Sequence, residues 1–320
     1  MKNLDIAAIK RWEPIFGSWY IKDKLSEGST GCVYAIERND MSICARSIAK
    51  VISIPKDLDE IRILRERNFT DEEIEAYLEA VKDEMLVEIS TLMRLKGTGH
   101  IVNYEDHIVA KRPNLPGWII ILKMEYLRPI SKIIKVNPNF ANDLTEIVRM
   151  GIDICKALEL CSKFNIVHRD IKPENIFRTG FGNYKLGDFG IAWMNDKSVT
   201  DINRRGTYEY MAPEVFNCET WDKRVDIYSL GIVLYMMLNN YRTPFLPEYP
   251  ANFALVDREV AVAKRMNNEI MMPPLNGTRR LKKAVMKACA FNPDDRFGSA
   301  EEMREELERV ALLLKFRGGV

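Results

Sequence analysis

The sequence predicts an α+β protein built as two lobes, a β-rich one over 1–126 and a mainly helical one over 127–315, with a tail at 316–320. Three observations predict it. Short runs of β-forming residues separated by Gly- and Asn/Asp-containing turns fill the opening third. One long amphipathic helix interrupts them. Beyond Arg128 the apolar residues recur at helical spacing almost to the end.

The strands are expected at Trp19–Leu25, Cys32–Glu37 and Ile43–Ile52, then at Ile101–Val109 and Trp118–Glu125. The long helix is expected to start after Thr70, because Thr70 and Glu73 have capping-box spacing. Ile74, Leu78, Val81, Met85, Ile89 and Leu92 give it one apolar face, and Gly97 closes it. In the second lobe, helices are expected at 142–163, 224–239, 257–267, 278–290 and 299–315, the last with Ser299 and Glu302 repeating the capping signature. A strand pair around 176–187 and an irregular stretch from Ile191 to Tyr210 lie between the first two helices.

Bulk properties narrow the function classes. A chain of 320 residues allows two small domains or one two-lobed unit with a large core. Apolar residues make up 47% and charged residues 29%, with a formal net charge of +1, which argues against nucleic-acid binding. No apolar run approaches the roughly 18 residues of a membrane span, and MKNLDIAAIK lacks the apolar core of a signal peptide. Six scattered cysteines and only three histidines argue against a disulfide framework or zinc site and for a reducing, cytoplasmic setting.

The chemistry concentrates in HRDIKPEN, residues 168–175. Phosphoryl transfer needs an acceptor for the incoming hydroxyl's proton, a cation near the γ-phosphate and a neutral oxygen ligand for a metal. Asp170, Lys172 and Asn175 supply one each, within one Pro-containing loop. Further on stand DFG at 188–190, GTYEYMAPE at 206–214, DIYSLG around Asp226 and NPDDRF around Arg296.

In the order and spacing of these motifs, over nearly the whole chain, the sequence resembles the eukaryotic-type (Hanks-type) serine/threonine protein kinases, most like bacterial members. The resemblance implies the two-lobed protein kinase fold, ATP as phosphoryl donor, Mg2+ (with Mn2+ as a substitute) and protein substrates bearing Ser or Thr. By that likeness Asp188 and Asn175 hold metal, Asp226 holds the catalytic-loop backbone and Arg296 pairs with Glu214. Lys50 is implied to hold the α- and β-phosphates, with Glu88 as its ion-pair partner. In SEGSTGCV, Gly28 and Gly31 let backbone N–H groups approach phosphate without a Cβ in the way, and Val33 is implied to pack over adenine. Ser26 stands where the family pattern has a glycine, and Thr30 where it has an aromatic tip. Ile48 replaces a usual alanine and Phe177 a usual leucine, so the adenine slot is expected to be narrower. Met124 aligns with the gatekeeper, and backbone groups of Glu125 and Leu127 are implied to bond adenine.

Lys172 and the Gly206–Thr207 pair resemble serine/threonine rather than tyrosine kinases, and Thr207 is expected to bond Asp170 and Lys172. Arg169, beside the catalytic aspartate, implies control by phosphate on the loop that follows, with Ser198 and Thr200 as acceptors and a second copy acting in trans. Their alternative is as ordinary loop hydroxyls. The inserted segment at about 54–75 reads either as a solvated helical extension or as a docking surface, and Trp12, Trp19 and Ile43 as a surface for dimerisation. Two rivals stay open. A pseudokinase-like scaffold that binds ATP typically lacks one of Lys50, Glu88, Asp170, Asn175 and Asp188, and a small-molecule kinase lacks the GTYEYMAPE segment.

Overall fold

The inner strands of the first part of the chain carry runs of consecutive buried residues, and the sheet they build is covered on both faces. The computed structural model describes residues 9–28, 31–113, 115–189 and 207–317, with the side chains of Glu88, Ala141, Asn142, Thr207, Phe316 and Arg317 outside that description. By its contacts the chain divides into two compact units, one holding the described residues 9–98 and 102–126, the other 99–101, 127–189 and 207–317.

The first unit is a five-stranded antiparallel sheet of β1 (Tyr20–Gly28), β2 (Gly31–Asp40), β3 (Ile43–Ile54), β4 (Tyr104–Lys111) and β5 (Trp118–Glu125), in the order β1-β2-β3-β5-β4. Because side chains alternate along a strand, Ala49 and Val51 of β3 face one cluster and Ile52 and Ile54 share another. Ile9, Ile15 and Trp19 cover the first cluster from the N-terminal side. The second is covered by α1 (Leu58–Glu66) through Ile61, and by α2 (Asp71–Arg94) through Ile74, Leu78, Met85 and Ile89. Thr70 caps α2 as expected, with Glu73 N–H donating to Thr70 Oγ1 at 3.2 Å and Thr70 N–H to Glu73 Oε2 at 2.8 Å.

The second unit opens with β6 (Arg128–Pro129), α3 (Ile130–Val136), a 3-10 turn (Pro138–Asn142) and α4 (Leu144–Lys163). Strands β7 (Ile176–Arg178) and β8 (Tyr184–Leu186) complete a small sheet in the order β6-β7-β8. Then come α5 (Pro213–Phe216), α6 (Arg224–Leu238), α7 (Leu255–Met266), α8 (Arg279–Ala288) and α9 (Ala300–Arg317). Every residue of α6 from Val225 to Leu238 is buried, as an all-round apolar helix requires. A Cβ on Gly231 would stand 2.8 Å from Cys289 Sγ and 2.9 Å from Ala288 Cβ, so α6 and α8 approach this closely only over glycine.

One ion pair ties the short helix α5 to the segment before α9. Arg296 and Glu214 form a bidentate pair with both bonds at 2.7 Å, and the Arg296 side chain is completely buried. Arg296 also donates to the carbonyls of Ala290 and Phe291, so the guanidinium is well satisfied.

Several expectations are corrected. Trp19 is buried and Trp12 packs against the same cluster, so both belong to the sheet's core; only Ile43 of that trio is exposed. Strand β4 begins at Tyr104, because Ile101 instead forms a parallel bridge to Leu186. Helices α3 and α5 were too short to show a period. The inserted segment contains a helix, α1, with Asp57 as its cap and only Ile61 fully buried.

Removing Glu214 leaves a buried guanidinium without its counterion. Glu214→Ala is therefore expected to destabilise the chain by about 3–5 kcal/mol in urea unfolding; a loss within experimental error would contradict this reading of the pair.

Candidate active site

In the second unit, the loop between α4 and β7 is held by a carboxylate from a helix far along the chain. Asp226, in the first turn of α6, accepts the backbone N–H of His168 through Oδ2 and of Arg169 through Oδ1, each at 2.8 Å. Burial pushes the Asp226 carboxyl up from its ordinary range, while His168, Arg169 and their N–H groups pull it back. Arg169 adopts a positive φ of 62°, an uncommon backbone state for a residue with a Cβ. Two well-aligned bonds to one carboxylate hold it there.

That turn aims three polar side chains at one another. Lys172 Nζ lies 2.7 Å from Asp170 Oδ2 and 3.0 Å from Oδ1. Asn175 Nδ2 donates to the carbonyl oxygen of Asp170 at 2.8 Å and to its Oδ2 at 2.9 Å. With its amide nitrogen so engaged, Asn175 turns its amide oxygen away from Asp170. Gly187 N–H donates to the Asn175 carbonyl at 2.9 Å, joining this loop to the residue before Asp188. Asp188 itself has φ of 55°, again in the left-handed region.

His168 has a larger part than a lone histidine suggested. It is buried, accepts the Asp170 N–H at Nδ1 (3.3 Å) and places Nε2 3.1 Å from the Gly187 carbonyl, which a single tautomer with the proton on Nε2 satisfies. Its ring lies 4.7 Å from that of Phe189. The signal for this role was its place in the HRD string.

In the first unit, Lys50 is buried in β3, in register with Val33 of β2 and Leu122 of β5. Alternation puts it on the same sheet face as Ile52 and Ile54, the face that carries α2. Glu88 lies in α2, and its side chain falls outside the described residues. Ile48 is in register with Ala35 and Met124. Ser47 Oγ donates to the Met124 carbonyl at 2.5 Å, and the Glu125 N–H donates to the Asn103 carbonyl, so the Glu125 amide is already committed. Ser26 pairs with Val33, and Gly28 with Gly31. Gly31 has φ of 127°, and a Cβ there would stand 2.2 Å from the Val51 carbonyl oxygen, so no other residue fits. Around Gly28 a Cβ would meet nothing within 4 Å.

Phe177 lies in β7, in register with Pro129 and Lys185, and Leu127 is half-buried just before β6. Thr207 begins a 3-10 turn, Thr207–Glu209, but its side chain is not among those described. Ser198 and Thr200 lie outside the described residues. The Arg169 guanidinium sits 5.5 Å from the centre of the Trp221 ring, a stacking that no motif had suggested.

Comparison with known proteins gives the same direction. The family model described as the protein kinase domain matches residues 19–307. The chain is 34% identical over 218 residues to the serine/threonine-protein kinase PknB of Mycolicibacterium smegmatis, covering 66% of this chain and 33% of that protein. It is 36% identical over 169 residues to a probable serine/threonine-protein kinase of Clostridium perfringens, covering 51% and 23%. To a probable serine/threonine-protein kinase of Streptomyces coelicolor it is 38% identical over 166 residues, covering 50% and 24%. The chain thus spans a third or less of the length of these relatives.

Replacing Asp226 by Asn sets an amide N–H against one of the two backbone donors. Asp226→Asn is expected to lower stability by roughly 1–3 kcal/mol in chemical denaturation; an unchanged midpoint would show that the carboxylate is not what holds the loop.

Proposed function

This chain belongs to the protein kinase family, and we propose that it transfers the γ-phosphoryl group of ATP to serine or threonine hydroxyls of protein substrates. The observation that carries this reading is the bonded trio of Asp170, Lys172 and Asn175 on a loop pinned by Asp226. Little covalent chemistry falls to the protein in phosphoryl transfer, so fixed positions and fixed charges are what a catalyst of it requires.

Asp170 receives the proton of the attacking hydroxyl, and its two neighbours restrict the directions its oxygens can face. Lys172 offers a cation beside that carboxylate for the phosphoryl oxygens. Lys50 binds the α- and β-phosphates, with Glu88 as its partner. The strand pair from Ser26 to Val33, with Gly28 and Gly31 at its turn, covers the phosphates. Val33, Ile48 and Phe177 enclose adenine beside Met124, and the Glu125 carbonyl and the Leu127 backbone bond its edge.

The family uses a divalent metal with ATP, and the donors here fit one. No cluster of three or more His, Cys, Asp or Glu suited to a metal occurs among the described residues. Asp188 and the outward-turned amide oxygen of Asn175 are instead a sparse oxygen set, of the kind that holds Mg2+ only together with substrate phosphates. The metal, Mg2+ with Mn2+ as a substitute, supplies positive charge to the phosphate oxygens. The presence of all five polar residues, Lys50, Glu88, Asp170, Asn175 and Asp188, speaks against a scaffold without activity.

The relatives' names as serine/threonine-protein kinases and Lys172 support Ser/Thr rather than Tyr as acceptor. Arg169 reads phosphate on the loop holding Ser198 and Thr200, added by a second copy in trans, and Thr207 bonds the catalytic loop. Six cysteines without a disulfide support a cytoplasmic setting. No helix of the described residues is long and apolar enough to cross a membrane.

The test is metal-dependent transfer of radiolabelled phosphate from ATP to Ser- and Thr-containing peptides, with mass spectrometry of the chain itself. Asp170→Asn is expected to lower transfer by about 10²–10⁴-fold, and Lys50→Met to lower turnover severely while nucleotide still binds. Wild-type turnover in either variant would overturn that residue's role, and no phosphate on residues 195–207 would dismiss the trans-phosphorylation.

A further inference from the structure

The second unit contains a cavity of about 330 Å³ between α6, the C-terminal end of α7 with the turn after it, and α8. That is within the range of about 300–1,000 Å³ that small-molecule sites occupy. Its lining mixes the apolar residues Phe245, Met271, Met286 and Phe291 with the polar residues Arg265, Asn268 and Glu269, and the lining residue Ile270 is largely exposed. The Cys289 thiol also lines it, and burial pushes that thiol up to about 12, so it brings no negative charge.

The cavity is also lined by a buried cation. Arg265 is only 5% exposed. Its two terminal nitrogens donate to the backbone carbonyls of Glu209 and Tyr208, and its Nε is buried with no partner. The guanidinium lies 5.8 Å from the centre of the Tyr228 ring, another wall of the cavity. Among the described residues no carboxylate forms an ion pair with it. Two carboxylates of the same region are committed elsewhere, Glu209 to Arg258 at 2.5 Å and Glu214 to Arg296 at 2.7 Å. A buried guanidinium with two neutral acceptors and an unused donor is an anion site by its chemistry, since buried charge is tolerated only when paired.

We propose that this cavity binds a small monoanionic carboxylate carrying an aromatic or branched apolar group, with the carboxylate on Arg265 and the apolar part against Met271, Met286 and Phe291. The apolar residues of the lining are the ones that would take the apolar body. Glu269 also lines the cavity, 3.9 Å from Lys264, and its charge disfavours phosphates and other multiply charged anions. None of the residues that line it belongs to the Asp170 loop, and Arg265 links it to Tyr208 and Glu209 through their carbonyls.

The probe is 3-phenylpropanoate, with the uncharged 3-phenylpropanamide as control, titrated into the full chain carrying methyl-labelled methionine. The expected result is saturable movement of the Met271 and Met286 methyl resonances, with the acid binding about tenfold more tightly than the amide. Arg265→Leu is expected to remove that preference. Because this variant also releases Tyr208 and Glu209, Ala290→Leu serves as a second variant that narrows the cavity and leaves Arg265 in place. It is expected to weaken binding by about tenfold or more. No saturable movement, equal affinity for acid and amide, or undiminished binding to Ala290→Leu would overturn the proposal. The readout does not depend on phosphoryl transfer.

Discussion

The Asp226 carboxylate, buried at the start of a wholly buried helix and accepting two successive backbone N–H groups, is the constraint on which the candidate site depends. It fixes His168 and Arg169, and through them the direction in which Asp170 leaves the loop. A carboxylate in that position is penalised by burial, as the upward push on its proton affinity indicates. The bonds it accepts offset part of that penalty, and the same bonds hold the loop conformation. His168 extends the same anchoring to Gly187, next to Asp188.

A second buried interaction, between Arg296 and Glu214, does for α5 what Asp226 does for the loop of His168 and Arg169. Both anchors reach across long stretches of sequence, and both sit on or against α6. The apolar helix is the reference to which polar loops are fastened. Arg265 differs from Arg296 in one respect that matters. Arg296 has a carboxylate as well as carbonyls, whereas Arg265 has carbonyls alone among the described residues.

Much of this was legible before any coordinates. The cap at Thr70 and the apolar period from Ile74 to Leu92 marked α2, because local chemistry and burial pattern agree there. The strands of the first unit were legible for the same reason. The HRDIKPEN string marked the loop in which Asp170, Lys172 and Asn175 come together, since fixed residue types at fixed spacing stand out in a sequence. What escaped were features set by distant partners. Trp19 looks like a candidate for the surface until Ile9, Ile15 and Tyr34 are packed around it. Ile101 reads as part of a strand until Leu186 takes it as a bridge partner. The stacking of Arg169 on Trp221 and the isolation of Arg265 Nε have no local signature at all.

The central claim is the proposal that Asn175 and Asp188 hold the metal of a triphosphate and that Lys50 binds its phosphates. A crystal structure of the chain with a non-hydrolysable ATP analogue and Mg2+ tests it most directly. The account predicts metal bound by the Asn175 amide oxygen and the Asp188 carboxylate, with Lys50 Nζ against the α- and β-phosphates. Nucleotide bound away from these three side chains, or metal held by other residues, would contradict it.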